Sequence, residues 1–179
     1  MKKDITLADA TQADIPAIQA IYSHHVLQGI ASFEVEPPSV TEMGKRYHNV
    51  LAHGLPYLVA THHGDVVGYC YLSPYRPRYA YRFSVESSVY IAADRQKQGV
   101  GFLLMHEAIA RVELQGYRQI IAVIGNSQNI GSLRLHASLG FEMVGTLKAV
   151  GFKHGQWVDT VLMQRALGEG AASLPMERG

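Results

Sequence analysis

Cysteine is nearly missing from this chain. Cys70 is the single thiol among 179 residues, so no disulfide can form within the chain and stability has to come from a buried core. Cys70 stands in the apolar run VVGYCYL, where a thiol packs as a small hydrophobe, and no Cys–His arrangement nearby marks it as a nucleophile. Long apolar runs are missing too. None approaches the ~18 residues that a membrane-crossing helix needs. The opening MKKDITLADATQAD has neither the apolar core nor the cleavage site of a signal peptide. A cytoplasmic protein without a membrane partner is expected. Charge of one sign is also scarce: 16 Lys and Arg face 15 Asp and Glu, for a net +1. Proteins that neutralise many phosphates carry a clear basic excess, so a nucleic-acid partner is not expected. The nine histidines include the adjacent pairs His24–His25 and His62–His63. Neighbours on a helix or strand do not aim at one ion, so these read as surface histidines and no metal is expected.

What the chain does have is periodicity punctuated by glycine. A short strand around Ile5 and Leu7 leads to a helix in TQADIPAIQAIYSHHVLQG, with Thr11 and Asp14 as a variant capping box, Ala17, Ile21 and Val26 or Leu27 on one face, and Gly29 past the end. A second helix begins at Ser39 with Glu42 and stops at Gly54. PYLVATHHGDVVGYCYLSP alternates around a Gly-Asp turn as an antiparallel hairpin. Further on come a strand over 84–92, a helix over 99–115, a buried strand in YRQIIAVIG, a short helix closed by Gly140, and a second hairpin turning near His154 and Gly155. The order is β-α-α-β-β-β-α-β-α-β-β, an α+β or mixed α/β sandwich with one sheet covered by helices. We expect a single domain over residues 1–167 and a small, polar, disordered tail over 168–179.

VESSVYIAADRQKQGVG holds the densest chemistry. Two glycines, Gly99 and Gly101, open a helix directly after a strand. A Walker A loop would need Gly-Lys-Ser/Thr, and the dinucleotide fingerprint would need a glycine where Leu104 stands. A third reading is a backbone cradle. Without Cβ atoms, the amides of residues 97–102 lie open to an anion at the first helical turn, with Arg95 and Lys97 adding positive charge. A solvated helix start explains the spacing equally well. Glu86 is the second oddity. Alternation puts Ser84, Glu86, Ser88 and Tyr90 on one face of the strand. A carboxylate there is hydrated, paired with an arginine such as Arg82, or functional. The third is SPYRPRYAYRF, three arginines among three tyrosines. It reads as a solvated loop or as an anion-binding wall.

QKQGVG, after a strand and before a helix, resembles the Gln/Arg-x-x-Gly-x-Gly/Ala signature of the GNAT superfamily of acyl-CoA-dependent N-acetyltransferases. NIGSLRLHASLGF resembles that superfamily's Asn-x-x-Ser/Ala-x-x-x-Tyr-x-x-x-Gly-Phe segment, and the order of elements matches. With FEVEPP, VESSVY and GFKHGQWVD, the chain from about residue 4 to 166 is similar to phosphinothricin acetyltransferases and to relatives that acetylate methionine sulfoximine and methionine sulfone.

The resemblance implies a GNAT-like sheet with splayed middle strands, acetyl-CoA as acetyl donor and a homodimer. It implies that the backbone of Val89, Tyr90 and Ile91 pairs with the pantetheine arm and that Lys97, Gln98, Gly99, Val100, Gly101 and Phe102 hold the pyrophosphate. Asn129 would sit near the thiol end, with Asn126 as a rival because of an extra residue in GNSQNIGS. Glu86 matches the proposed general base. His136 stands where many of these enzymes carry a Tyr, the acid for the departing thiolate, and the Tyr90 N–H would take the oxyanion. Arg76 matches a basic acceptor-site position with Arg78 and Tyr81 as neighbours, and Phe33 an aromatic lining the acceptor. The expected reaction is direct acetylation of the α-amino group of a small amino acid. Acetylation of another amine, or acyl-CoA binding without turnover, are the alternatives.

Overall fold

The computed structural model describes residues 4–177. Seven strands form one sheet in the order β1-β2-β3-β4-β5-β7-β6. β1 is Ile5–Asp9, β2 Tyr57–His62, β3 Asp65–Pro74, β4 Ser84–Ile91, β5 Gln119–Gly125, β6 Glu142–Lys153 and β7 Gln156–Ala166. All neighbours are antiparallel except β4 and β5, which run parallel across the central helix. The helices are α1 (Ile15–Gln28), α2 (Val40–Ala52), α3 (Val100–Leu114) and α4 (Ile130–Ser138). The expected order of elements is the observed one.

Local chemistry explains the boundaries. The Asp14 carboxylate accepts from the Thr11 N–H at 2.7 Å and from its hydroxyl at 2.9 Å, closing a short 3-10 turn before Pro16 opens α1. Ser39 accepts from the Glu42 N–H at 3.1 Å to start α2. Both hairpins turn on paired left-handed residues, His63–Gly64 and His154–Gly155, the twist that two-residue β-turns require. The buried stripe of α1 runs through Ile15, Ile18, Ile21, Tyr22 and Val26, so Ile21 and Val26 lie on the expected face, while Ala17 is only half-buried and Leu27 faces solvent.

The sheet carries helices on both faces. On one, Tyr57, Tyr69 and Tyr71 stack in near-parallel rings beneath Tyr47 of α2, and Tyr69 continues to Tyr90 at 5.5 Å. On the other, Leu104, Met105, Ala108 and Val112 of α3 are fully buried. Cys70 belongs to this second layer, its Sγ 3.5 Å from Met105 Sδ and its thiol pushed up to about 12 by burial. It is a packing residue, as its surroundings in the sequence indicate.

The residues after β7 depart from expectation. Residues 168–177 run back along the protein, because Arg118 donates to the Gly170 and Leu174 carbonyls and to the Ser173 hydroxyl at 3.0–3.1 Å. Arg82 pairs with Glu177. Arg118 and Arg82 lie 52–95 residues upstream of the residues they hold, so the segment's small, polar composition gave no sign of the attachment. The first three residues of the expected domain and the last two of the expected tail lie outside the described residues.

Candidate active site

β4 and β5 pair only from Ser84↔Gln119 to Ser87↔Ala122. Beyond that point β4 continues along β3 to Ile91, and β5 continues along β7 to Gly125. The two strands part, and a cavity of about 1020 Å³ opens in the gap.

The β3–β4 ladder decides which backbone groups face this gap. Tyr75 N–H bonds the Ser84 carbonyl at one end, and Ala92 N–H bonds the Val67 carbonyl at the other. Antiparallel pairs alternate, so Ser84, Glu86, Ser88, Tyr90 and Ala92 spend their backbone groups on β3. The odd residues turn the other way, and Arg118 N–H indeed bonds the Phe83 carbonyl on the β5 side. Past the end of β5 pairing, Val89 and Ile91 are therefore the residues whose N–H and C=O groups meet the cavity. The Tyr90 N–H faces β3, so it is not the oxyanion donor that the resemblance suggested. His25 lies 2.8 Å from the Ile91 carbonyl through Nε2. A carbonyl only accepts, so that nitrogen carries the hydrogen. Burial pushes the His25 imidazole down. His25 is thus half-buried and lines the cavity, not the surface histidine the sequence suggested.

The glycine turn closes one end. Lys97 has φ 61° and Gly99 φ 83°. Left-handed residues in such a turn point successive N–H groups into one concavity that favours anions. Gly99 is the N-cap of α3, whose first N–H groups have no helical acceptor. Lys97, Gly99, Val100, Gly101 and Phe102 all line the cavity, with Arg95 beside them. Gln98 does not; its side chain donates to the Asp94 carbonyl at 3.2 Å and braces the turn from outside. A Cβ on Gly101 would sit 3.1 Å from Leu135 of α4, so glycine also lets α3 and α4 close on this end.

Side chains supply the rest. Glu86 is half-buried on the tyrosine face of β4 and lines the cavity. Among the described residues nothing hydrogen-bonds or ion-pairs with its carboxylate; Arg82 turns instead to Glu177. Burial pushes the Glu86 carboxyl up, and the charge of Arg76 pulls it partly back. Arg76 itself is exposed and does not line the cavity, nor do Arg78 and Tyr81. Tyr81 packs edge-on to Tyr75, and Arg78 caps the 3-10 turn at Tyr79–Tyr81. Asn129 lines the cavity while its Oδ1 accepts the Ser132 N–H and caps α4. Asn126 does not line it and bonds the Asp159 carbonyl instead, so the two rivals are separated.

His136 is buried in the cavity wall, edge-on to Phe141. Its Nδ1 lies 2.8 Å from the Ser132 carbonyl, so Nδ1 carries the hydrogen and the neutral ring has none at Nε2. Burial pushes this imidazole down as well. In that form His136 accepts at Nε2 and cannot donate there.

Residues 31–34 form a wall that the motifs did not assign, apart from Phe33. Ala31, Ser32, Phe33 and Glu34 all line the cavity. Glu34 accepts from the Tyr22 hydroxyl at 2.9 Å and from Arg46 at 2.6 Å. The quoted FEVEPP contained Glu34, but only the partners on α1 and α2 show what holds it.

His62, His63 and Asp4 bring donor atoms within 4.8 Å of one another at the β2–β3 turn, away from this cavity. The rule that adjacent histidines diverge fails there because His63 has φ 51° and leaves the strand.

A family model described as an acetyltransferase (GNAT) domain matches residues 7–162. The chain belongs to the GNAT acetyltransferases. It is 57% identical over 162 residues to a phosphinothricin N-acetyltransferase of Alcaligenes faecalis, covering 90% of this chain and 82% of that one. It is 36% identical over 160 residues to an L-methionine sulfoximine/L-methionine sulfone acetyltransferase of Pseudomonas aeruginosa, covering 89% and 92%. Among solved structures, a GNAT superfamily phosphinothricin acetyltransferase from Sinorhizobium meliloti, in complex with acetyl-CoA, superposes with a TM-score of 0.94 at 46% identity, over 97% of this chain and 94% of that one. The mixed sheet with parting central strands, flanked by helices, is the GNAT fold, as the motifs implied. No helix among the described residues is long and apolar enough to cross a membrane.

Proposed function

We propose that this GNAT enzyme acetylates the α-amino group of a small L-amino acid analogue, with phosphinothricin, methionine sulfoximine or methionine sulfone as preferred acceptor and acetyl-CoA as donor. The observation that carries the reading is Glu86, a half-buried carboxylate without a partner among the described residues, in a cavity that also holds an anion-binding turn. The residues fit the donor. The Lys97–Phe102 turn suits a pyrophosphate, and the free edge at Val89 and Ile91 suits an amide-bearing arm, which adds to a sheet edge as a strand does.

Acetyl-CoA supplies an acyl thioester. The protein's part is to make the acceptor nitrogen nucleophilic and to hold it close. An α-ammonium has no free lone pair, so it must lose a proton before attack. Glu86 attracts the ammonium and takes that proton, directly or through water. A carboxyl raised by burial does this more efficiently than a solvated one. The Val89 N–H, turned into the gap, replaces the Tyr90 N–H as donor to the developing oxyanion. One C–N bond forms and one C–S bond breaks; of the two protons the ammonium gives up, one leaves to solvent and the other passes from nitrogen to sulfur. His136, neutral and without hydrogen at Nε2, is assigned no acid role; Glu86, protonated by the amine, is the group that returns the proton.

Arg76, exposed but close enough to bias Glu86, is the cation assigned to the acceptor's anionic group, with Phe33 as the apolar wall. We further propose a homodimer formed through the β6–β7 hairpin, where Met143, Val144, Leu147, Val150, Phe152 and Trp157 are each at least half exposed. A thiol-release assay over a panel of amino acids, the three analogues and an N-terminal alanine peptide tests the reading. The expected result is the highest kcat/KM with one of the three analogues. No thiol release with any amine would leave only acyl-CoA binding, and a peptide preference would move the enzyme to another acceptor class.

A further inference from the structure

Lys153 is almost completely buried, at 3% exposure, on the last residue of β6. Lysine is seldom fully buried, because its ammonium loses water and needs strong partners in return. Here Nζ donates to the Ser32 carbonyl at 2.7 Å, the one hydrogen bond found for it among the described residues. Glu34, two residues on, is the carboxylate whose charge favours the ammonium against the desolvation that pulls its titration down. A methionine would fill the same space without that cost. The amine is therefore explained by what it holds.

What it holds is the wall at residues 31–34. Four further contacts fix the same segment. Gly151 has no side chain, and a Cβ there would lie 2.4 Å from the Phe33 ring, so the ring rests directly on the β6 backbone. Gly151 follows a bulge in β6 that Asp159 pins by accepting from the Ala149 N–H at 2.9 Å and Lys148 Nζ at 3.2 Å. At the end of β5, a Cβ on Gly125 would lie 2.5 Å from the Ala31 carbonyl. The segment is thus clamped by the β6–β7 hairpin below and by Tyr22 and Arg46 on Glu34 above.

We propose that Lys153 is a positioning residue for the acceptor: through the Ser32 carbonyl it sets the wall that carries Phe33 and Glu34, while the donor end of the cavity is independent of it. This rests on the acetyltransfer reading above. The donor end is built from β4, the glycine turn and α4, none of which Lys153 is found to bond.

The test is Lys153→Met, which keeps the stem and removes the ammonium, beside Lys153→Arg, which restores a cation. Backbone amide exchange of residues 31–34 is measured by NMR without substrate. Acceptor KM and acetyl-CoA Kd are measured on the same proteins. We expect faster exchange confined to 31–34, a KM for the acceptor raised about tenfold or more, an acetyl-CoA Kd within about twofold of wild type, and partial recovery in Lys153→Arg. Unchanged exchange at 31–34 overturns the clamp. So does a parallel loss of acetyl-CoA affinity and Tm, which marks a general packing role. If wild type acetylates no amine, the functional reading falls, and the exchange data still decide whether Lys153 holds the wall.

Discussion

Glu86 is the proposed general base, and two consequences follow from its surroundings. Replacing it by Gln keeps its shape but removes the proton acceptor. We expect kcat to fall about 100- to 10,000-fold while acetyl-CoA affinity by calorimetry stays as it was, since the glycine turn is untouched. The pH dependence carries a sign. A base works when deprotonated, so kcat/KM rises as pH climbs through its pKa. Burial pushes the Glu86 carboxyl up, which places this limb above the ~4.3 of a free glutamate. Arg76 opposes that shift, so Arg76→Gln moves the limb to higher pH. A limb that stays in place, measured with wild type and variant side by side, would falsify the coupling. His136 gives the opposite test. A general acid must be protonated, and this imidazole is held below its usual ~6.5 by burial. If it served as the acid, kcat would fall steadily above that value. We expect no such fall between about pH 7 and 8.

At the scale of elements, the parting of β4 from β5 makes the site. Alternation along β3–β4 predicts which amides are free. Those of Val89 and Ile91 face the gap, and those of Ser88 and Tyr90 are bonded to β3. Residue-resolved hydrogen exchange of the free protein is expected to show Val89 and Ile91 exchanging faster than their even neighbours. Adding acetyl-CoA should then protect the two odd amides. A fast Tyr90 amide would return it to the oxyanion role. The same elements show what periodicity reveals. Each helix and strand was legible, because caps at Thr11 and Ser39, glycine stops and alternating apolar residues are local signals. The glycine turn was legible as a motif, and its left-handed Lys97 was not, since no residue type announces that conformation reliably. The face carrying Glu86 followed from alternation, whereas the direction of the Tyr90 amide depended on which neighbour β4 pairs with. Contacts between distant segments were the least legible. His25 on Ile91, Lys153 under Ser32 and Arg118 on the tail each join residues 50 or more positions apart, and nothing local in either partner marks the pairing. The acceptor loop erred in the other direction. Arginines and tyrosines suggested a wall, yet of the three residues named there only Arg76 acts on the cavity, through its charge on Glu86.

At the scale of the whole molecule, the hairpin β6–β7 stands out as an unfinished surface. β6 is an edge strand, next to β7 alone, and nine of its twelve residues are exposed. Phe152 and Trp157 pack edge-on at 5.0 Å yet remain 61% and 70% exposed. An unprotected edge with large apolar side chains is a hazard unless something covers it. In the proposed homodimer a second copy would do so by symmetry, because one self-complementary patch serves both partners. A standard interface takes roughly 800 Å² from each partner, and a long hairpin with six such side chains is a fit nucleus for one. The hairpin also underlies the wall at residues 31–34 through Gly151 and Lys153, so pairing there would stiffen the acceptor side of both sites. Sedimentation equilibrium is expected to give a dimer for wild type. Trp157→Glu places a charge in the proposed interface but at an exposed position of the single chain, where substitutions usually change stability by about 0.5 kcal/mol or less. This variant should sediment as a monomer, keep its acetyl-CoA affinity, and show a higher acceptor KM. A monomeric wild type, or a variant that stays dimeric, would remove the hairpin from the assembly.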